Sequence, residues 1–139
     1  MATRSIARDF FVEDLDRGWS LVGTRCRSCH EQLFGRADPA CPRCAGPDLD
    51  PVLLPASGAV WAYTVQRNPP PGRRRATTPT VPYAVGLVEL DGIGLRILTH
   101  IDVDPERVTV GLPVRLAVRE LYHEHDELVV GFAFEEVLS

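Results

Sequence analysis

The chain has 139 residues and a hydrophobic share of 45%, which suits one globular domain or a small module joined to a modest one. Its formal net charge is −4, and four metal-bound thiolates with one divalent ion would make it about −6. A negative protein of this kind is repelled by the phosphate backbone of a nucleic acid. The first residues lack the apolar stretch of a signal peptide, and no run of about eighteen apolar residues occurs, so the sequence predicts a cytoplasmic protein without a membrane partner.

The first predicted element is an N-terminal helix within residues 1–19. Phe11, Leu15 and Trp19 recur every four residues, which is the spacing of side chains on one face of a helix. This helix either packs on its own domain or, together with Phe10, docks on a partner, because a small metal module offers little surface to cover such aromatic side chains. The periodicity alone does not decide between the two interpretations.

Two cysteine pairs follow, Cys26–Cys29 and Cys41–Cys44, and they account for all four cysteines of the chain. Two residues between paired cysteines allow one tight turn to aim both sulfur atoms at a single ion. Two such turns joined by a short hairpin complete a tetrahedron of sulfur ligands. The spacing therefore predicts a metal site in a rubredoxin-like zinc ribbon that spans residues 20–52.

The predicted metal site is structural rather than catalytic, because four cysteine ligands leave no open position for water or substrate. Iron is the alternative metal, since tetrahedral sulfur also suits iron. Zinc is favoured because no site for a redox partner is recognisable in the sequence. Two disulfide bonds are disfavoured because the chain lacks an export signal.

Alternating hydrophobicity in residues 53–139 predicts five β-strands with one helical turn between the third and the fourth. This pattern matches the small five-stranded barrel of the OB-fold, and a five-stranded sandwich is the structural alternative. Aromatic side chains on these strands, at Trp61, Tyr63 and Tyr83, are interpreted as core residues, although OB-folds also use such residues to stack bases. The predicted strands cover residues 59–67, 83–89, 95–102, 114–122 and 128–135.

A proline- and arginine-rich stretch joins the first two predicted barrel strands. Its arginines suit the phosphates of coenzyme A or an acidic patch on a partner, because the guanidinium fork matches phosphate oxygens. The alternative is a solvated loop, which the proline content favours. The arginines concerned are Arg67, Arg73, Arg74 and Arg75.

Taken together, these motifs resemble the zinc-ribbon/OB-fold acyl-CoA-associated family known as domain of unknown function thirty-five. The likeness covers nearly the whole chain. It includes the leading aromatic segment, the cysteine pairs and several strand motifs. The motifs are Cys41-Pro42-Arg43-Cys44, Ser57-Gly58-Ala59-Val60-Trp61-Ala62-Tyr63-Thr64-Val65, Val81-Pro82-Tyr83-Ala84-Val85-Gly86-Leu87-Val88-Glu89-Leu90 and Val110-Gly111-Leu112-Pro113-Val114.

The resemblance implies a non-catalytic accessory subunit with a structural zinc ion. Members of this family usually partner thiolase-like enzymes, which include thiolases, sterol side-chain aldolases and acyltransferases of lipid and steroid degradation. The implied assembly is a hetero-oligomer in which the small chain completes or stabilises the acyl-CoA site. In that setting Tyr83 joins the four arginines as a candidate contact to acyl-CoA or to the partner.

The chain departs from the family at the residue after each cysteine pair, where glycine is common. Here these positions hold His30 and Ala45, and Gly46 comes one residue later. Because alanine tolerates a left-handed backbone poorly, we expect the second turn to be shifted.

Two other functions compete with the accessory subunit. Zinc ribbons and OB-folds both serve in nucleic-acid binding, but the two predicted binding loops of the barrel are opposite in charge, and the chain is acidic overall. A free-standing enzyme such as a thioesterase ranks last, because cysteines committed to a metal cannot act as nucleophiles.

Overall fold

The computed structural model describes residues 2–7, 10–14, 16, 18–35, 39–68 and 80–137. Ten β-strands form within these residues and no helix does, so the mainly β fold is confirmed. None of these residues belongs to a helix able to span a bilayer. The strands are β1 (Ala2–Ser5), β2 (Phe11–Asp14), β3 (Gly18–Cys26), β4 (Gln32–Phe34), β5 (Leu49–Leu53), β6 (Ser57–Gln66), β7 (Tyr83–Leu90), β8 (Arg96–Asp102), β9 (Pro113–Glu124) and β10 (Glu127–Glu136).

Strands β6 to β10 close into a five-stranded barrel. They run in the order β6-β7-β8-β10-β9, and β9 pairs with β6 to complete the ring. Only β8 and β10 are parallel, while the other neighbours in the ring are antiparallel. This closure confirms the OB-like barrel and rules out the open sandwich.

The barrel interior is filled by alternate residues of its strands, as the period of two requires. On β7 these are Ala84, Val88 and Leu90, each at most 1% exposed, and Phe134 of β10 is fully buried. The helical turn predicted between the third and fourth barrel strands is a tight turn, in which the N–H of Arg107 donates to the carbonyl oxygen of Asp104 over 2.8 Å.

The metal module is organised around β3, which pairs with β2, β4 and β5. Its centre is Gly23, which pairs with Phe34 on one side and Val52 on the other. A β-carbon at Gly23 would lie 2.2 Å from the carbonyl oxygen of Leu33, so glycine is required where these strands approach. No strand is predicted from the sequence over the residues of β5 (Leu49–Leu53).

The predicted N-terminal helix is wrong. Residues Ala2–Ser5 pair in parallel with β10, and Phe11–Asp14 pair antiparallel with β3. The spacing between Phe11 and Trp19 reflects a hairpin, in which the two rings stack with centroids 4.9 Å apart. Pairing with existing strands outweighs the weak helical periodicity of so short a segment. Leu15 lies outside the described residues.

The metal module and the barrel share one hydrophobic core. The rings of Phe11 and Phe34 lie 5.8 Å and 6.0 Å from that of Phe132 on β10. Phe11, Leu21 and Leu54 belong to the same buried cluster as the barrel interior. The domain boundary between residues 52 and 53 stays a prediction, and the shared core means that the two parts depend on each other for stability.

Candidate metal centre

Four sulfur atoms converge beside the end of β3. The Sγ atoms of Cys26, Cys29, Cys41 and Cys44 all lie within 4.8 Å of one another. Cys26 Sγ is 3.6 Å from Cys44 Sγ, and Cys29 Sγ is 3.7 Å from Cys41 Sγ. A tetrahedron with Zn–S bonds of ~2.3 Å has S···S edges of about 3.8 Å, so these four residues fit a tetrahedral ion.

Two matching turns aim the sulfur atoms. In the first, the N–H of His30 donates to the carbonyl oxygen of Cys26 over 2.9 Å; in the second, the N–H of Ala45 donates to that of Cys41 over 2.8 Å. His30 and Ala45 both adopt left-handed conformations, with φ of 66° and 63°. The expected shift of the second turn therefore does not occur, because the turn holds alanine in the less favourable region.

Gly46 closes the second turn against the sulfur cluster. Its N–H donates to Cys44 Sγ over 3.4 Å. A β-carbon at this position would lie 3.0 Å from Ser28 Oγ and 3.3 Å from the Sγ atoms of Cys26 and Cys44. Only glycine fits at position 46 without displacing a ligand. The sequence indicates that Gly46 belongs to the cysteine turn only through its place directly after Ala45.

We expect Gly46→Ala to weaken zinc binding by about tenfold, because overpacking of this kind costs ~1–3 kcal/mol and here strains the ligands themselves. The neighbouring change Ala45→Gly is the matched control. It relieves the left-handed conformation of Ala45 and should hold zinc at least as tightly as the natural chain. Competition with a chromogenic chelator measures both, and equal zinc affinity in the two variants would refute the steric argument.

The thiols of the cluster differ in acidity. The backbone N–H of Cys29 lowers the pKa of the Cys26 thiol to about 6, against the opposing effect of burial. The backbone N–H of Glu31 lowers the pKa of the Cys29 thiol, but burial and the surrounding sulfur atoms outweigh it and raise that pKa to about 12. Four thiolates this close repel one another unless a cation lies among them, and a divalent ion deprotonates them together.

Arginine side chains surround the cluster. Arg27 donates two hydrogen bonds of 2.8 Å to the carboxylate of Asp50, and its guanidinium lowers the pKa of that carboxyl group. Arg43 pairs with Glu31. Arg25 Nη2 lies 3.4 Å from His30 Nδ1, which places the imidazole beside a guanidinium group. Because Arg27 and Arg43 are each paired with a carboxylate, most of this positive charge is neutralised locally and offsets little of the net charge of −2 that a Cys₄ zinc site carries.

The aromatic residues predicted for docking do not form one surface. Phe11 is fully buried, Trp19 is half-buried against it, and Phe10 is 37% exposed. Trp61 and Tyr63, interpreted as core residues, are instead 46% and 40% exposed.

The predicted acyl-CoA contacts that are described lie at one end of the barrel. Gln66, next to the exposed Arg67, pairs with Tyr83 across β6 and β7. The ring of Tyr83 lies 5.7 Å from that of His100, whose pKa is lowered by burial and by the nearby Arg119. Arg73, Arg74 and Arg75 lie outside the described residues.

Comparison with known proteins places the chain in a family. The family model for the C-terminal OB-fold domain of ChsH2 matches residues 51–119. A chain of the solved Ltp2-ChsH2(DUF35) aldolase is 30% identical, with a TM-score of 0.62 and coverage of 86% of both chains. The chain belongs to the DUF35 family. This finding confirms the resemblance inferred from the sequence motifs.

Other relatives of the chain differ in length and description. A DUF35 domain-containing scaffold protein of Pyrococcus furiosus is 28% identical over 124 residues, which cover 87% of this chain and 86% of the relative. A second such scaffold protein, from Methanothermobacter thermautotrophicus, is 26% identical over 119 residues, or 84% and 85% of the two chains. A probable enoyl-CoA hydratase alpha subunit of Thermomonospora curvata is 35% identical over 97 residues, which cover 69% of this chain but 28% of that protein.

Proposed function

We propose that this DUF35 chain is a non-catalytic accessory subunit that docks on a thiolase-superfamily enzyme and helps form or stabilise its acyl-CoA site. The observation that supports this most strongly is the match to a chain of the Ltp2-ChsH2(DUF35) aldolase over 86% of both chains. Two further relatives of similar length are named scaffold proteins. The implied partner is an enzyme that makes or breaks carbon–carbon bonds beside a thioester, such as a thiolase, a sterol side-chain aldolase or an acyltransferase.

The cysteine cluster supports a structural role for the metal. Cys26, Cys29, Cys41 and Cys44 would hold zinc with all four positions filled, which leaves no position at which water or substrate could coordinate the ion. When bound, the ion supplies folding energy to the metal module. Sulfur atoms committed in this way are not available as nucleophiles. We therefore assign the chemistry to the partner, and we place the chain in the cytoplasm, where thiols stay reduced.

The barrel end that carries Arg67 and Tyr83 is our proposed contact to the partner's acyl-CoA. The exposed guanidinium of Arg67 suits a phosphate oxygen, and Tyr83 offers a half-buried ring at the neighbouring strand end. The probable enoyl-CoA hydratase subunit among the relatives supports a partner that handles CoA thioesters.

Purification of the tagged chain from its native host tests the proposed function. We expect a thiolase-superfamily enzyme to co-purify in a fixed ratio, identified by mass spectrometry of the eluted proteins. Recovery of this chain alone at every concentration would count against the proposal. The nucleic-acid alternative is tested on the chain purified without its partner, which should pass through heparin and single-stranded DNA columns at low salt, because the chain is acidic.

A further inference from the structure

Trp61 lies at an irregularity in the barrel wall. Pairing between β6 and β7 shifts register between Val60 and Ala62, so that Trp61 falls within a β-bulge. A bulge inserts an extra residue and re-aims its side chain. Val60 is 1% exposed and points into the core, whereas the adjacent Trp61 side chain is 46% exposed.

Two charged residues hold the indole in place. The guanidinium carbon of Arg96 lies 3.9 Å above the centre of the Trp61 ring, within the range of a cation–π contact. Arg96 Nε donates to Glu89 Oε2 over 3.1 Å, which fixes the arginine in turn. An exposed tryptophan already held in one orientation loses little entropy when a partner covers it, and tryptophan is enriched among interface residues that dominate affinity.

A cleft of about 330 Å³ opens beside the indole. The apolar side chains that it exposes are those of Ala59, Trp61 and Val110. Val110 is 68% exposed, so one wall of the cleft faces solvent. The charged residues that line the cleft are Glu89 and Asp91; the Glu89 carboxylate already accepts from Arg96, so Asp91 is the carboxylate that an incoming cation would meet. Asp91 is positioned by Ser57, whose hydroxyl donates to Asp91 Oδ2 over 2.6 Å.

The chemistry of this cleft matches a long basic side chain. Lysine and arginine combine an aliphatic stem, which packs on apolar walls, with a cationic head that seeks a carboxylate. We infer that the cleft between Trp61 and Val110 docks a lysine or arginine side chain of the partner enzyme. This inference rests on the proposed function for the identity of the partner. It places docking on the barrel wall, whereas the sequence left open whether the N-terminal segment docks on a partner or packs on its own domain.

The test measures the affinity of the purified enzyme partner for variants of the full-length, zinc-loaded chain. Trp61→Ala should weaken binding by about thirtyfold, the effect of losing an interface residue worth ~2 kcal/mol. Asp91→Lys should weaken binding of the enzyme by a similar factor, because the new lysine would repel the basic side chain of the partner. Val118→Ala and Glu120→Lys are matched controls, since Val118 is 43% exposed and Glu120 is an exposed acid outside the cleft. Neither control should change the affinity.

A second measurement does not depend on how well these variants fold. A photo-crosslinking amino acid at position 110 should label the enzyme on a peptide that contains lysine or arginine, and the same probe at position 118 should not. If the natural chain binds the enzyme, but Trp61→Ala binds equally well and position 110 gives no crosslink, the cleft inference fails and the proposed function stands. Crosslinks between two copies of this chain would also overturn it. If the natural chain binds no thiolase-superfamily enzyme, both fail together.

Discussion

Replacement of Cys26 by serine is expected to abolish zinc binding and to lower the Tm of the chain by about 10 °C or more. Cys26 is fully buried, and its Sγ atom lies 3.6 Å from that of Cys44 at the centre of the cluster. Three thiolates bind zinc far more weakly than four, so the metal module loses the energy that folds it. Because the module shares its core with the barrel, the damage should reach the whole chain. Elemental analysis and thermal unfolding measure the two effects.

Ser28→Ala is the matched control for this prediction. Ser28 lies between the first two ligands but offers no sulfur atom, so the variant should keep one metal ion per chain and nearly its full Tm. Elemental analysis of the natural chain also separates zinc from iron. A Cys26→Ser variant that retains a full metal ion and unfolds like the natural chain would contradict the assignment of the four ligands.

Phe11→Ala is expected to destabilise the fold by about 3–5 kcal/mol, the usual cost of deleting a fully buried phenylalanine. Phe11 is 0% exposed, stacks on Trp19 at 4.9 Å and contacts Phe132 of the barrel at 5.8 Å. Its loss would open a cavity at the junction of the two parts. Urea unfolding, followed by circular dichroism, measures the change in the free energy of unfolding.

The adjacent Phe10→Ala variant provides the comparison. Phe10 is 37% exposed and contacts Phe34 with ring centroids 5.3 Å apart, so its loss should cost about 1 kcal/mol. If Phe10→Ala destabilises the chain more than Phe11→Ala does, the N-terminal segment is not folded as two strands. A helix with Phe11 on an exposed docking face would produce that result.

The metal ligands and the barrel strands could be predicted because their signals are local. The two Cys-x-x-Cys turns specify their own geometry, and the structure brings all four sulfur atoms together. Strands such as β7 (Tyr83–Leu90) alternate inward and outward residues along their whole length, so the period of two is visible in the sequence.

The N-terminal strands and the cleft depend on distant parts of the chain and could not be predicted in this way. The strand Ala2–Ser5 is held by β10, more than a hundred residues later, and a four-residue segment has no reliable period of its own. The exposure of Trp61 follows from a one-residue register shift, and its contact with Arg96 crosses from β6 to β8. Neither the exposure of Trp61 nor its contact with Arg96 can be predicted from the neighbouring residues in the sequence.

The second cysteine turn forms even though its residue 45 is alanine, which rarely adopts a left-handed conformation. Alanine at position 45 is disfavoured in that conformation, yet its hydrogen bond to Cys41 and the adjacent Gly46 hold it there. The strained conformation of Ala45 lies in the turn that directs Cys41 and Cys44 toward the ion, so the free energy of metal binding offsets the strain.

The most direct test of the account compares turnover of an acyl-CoA thioester by this chain alone, by its purified enzyme partner alone and by the two together. We expect no turnover by the chain, and a higher rate or a more stable enzyme when the two are mixed. Turnover by the zinc-loaded chain in the absence of any other protein would contradict the central claim, because it would place the chemistry in a polypeptide whose four-cysteine site leaves no open position on the metal.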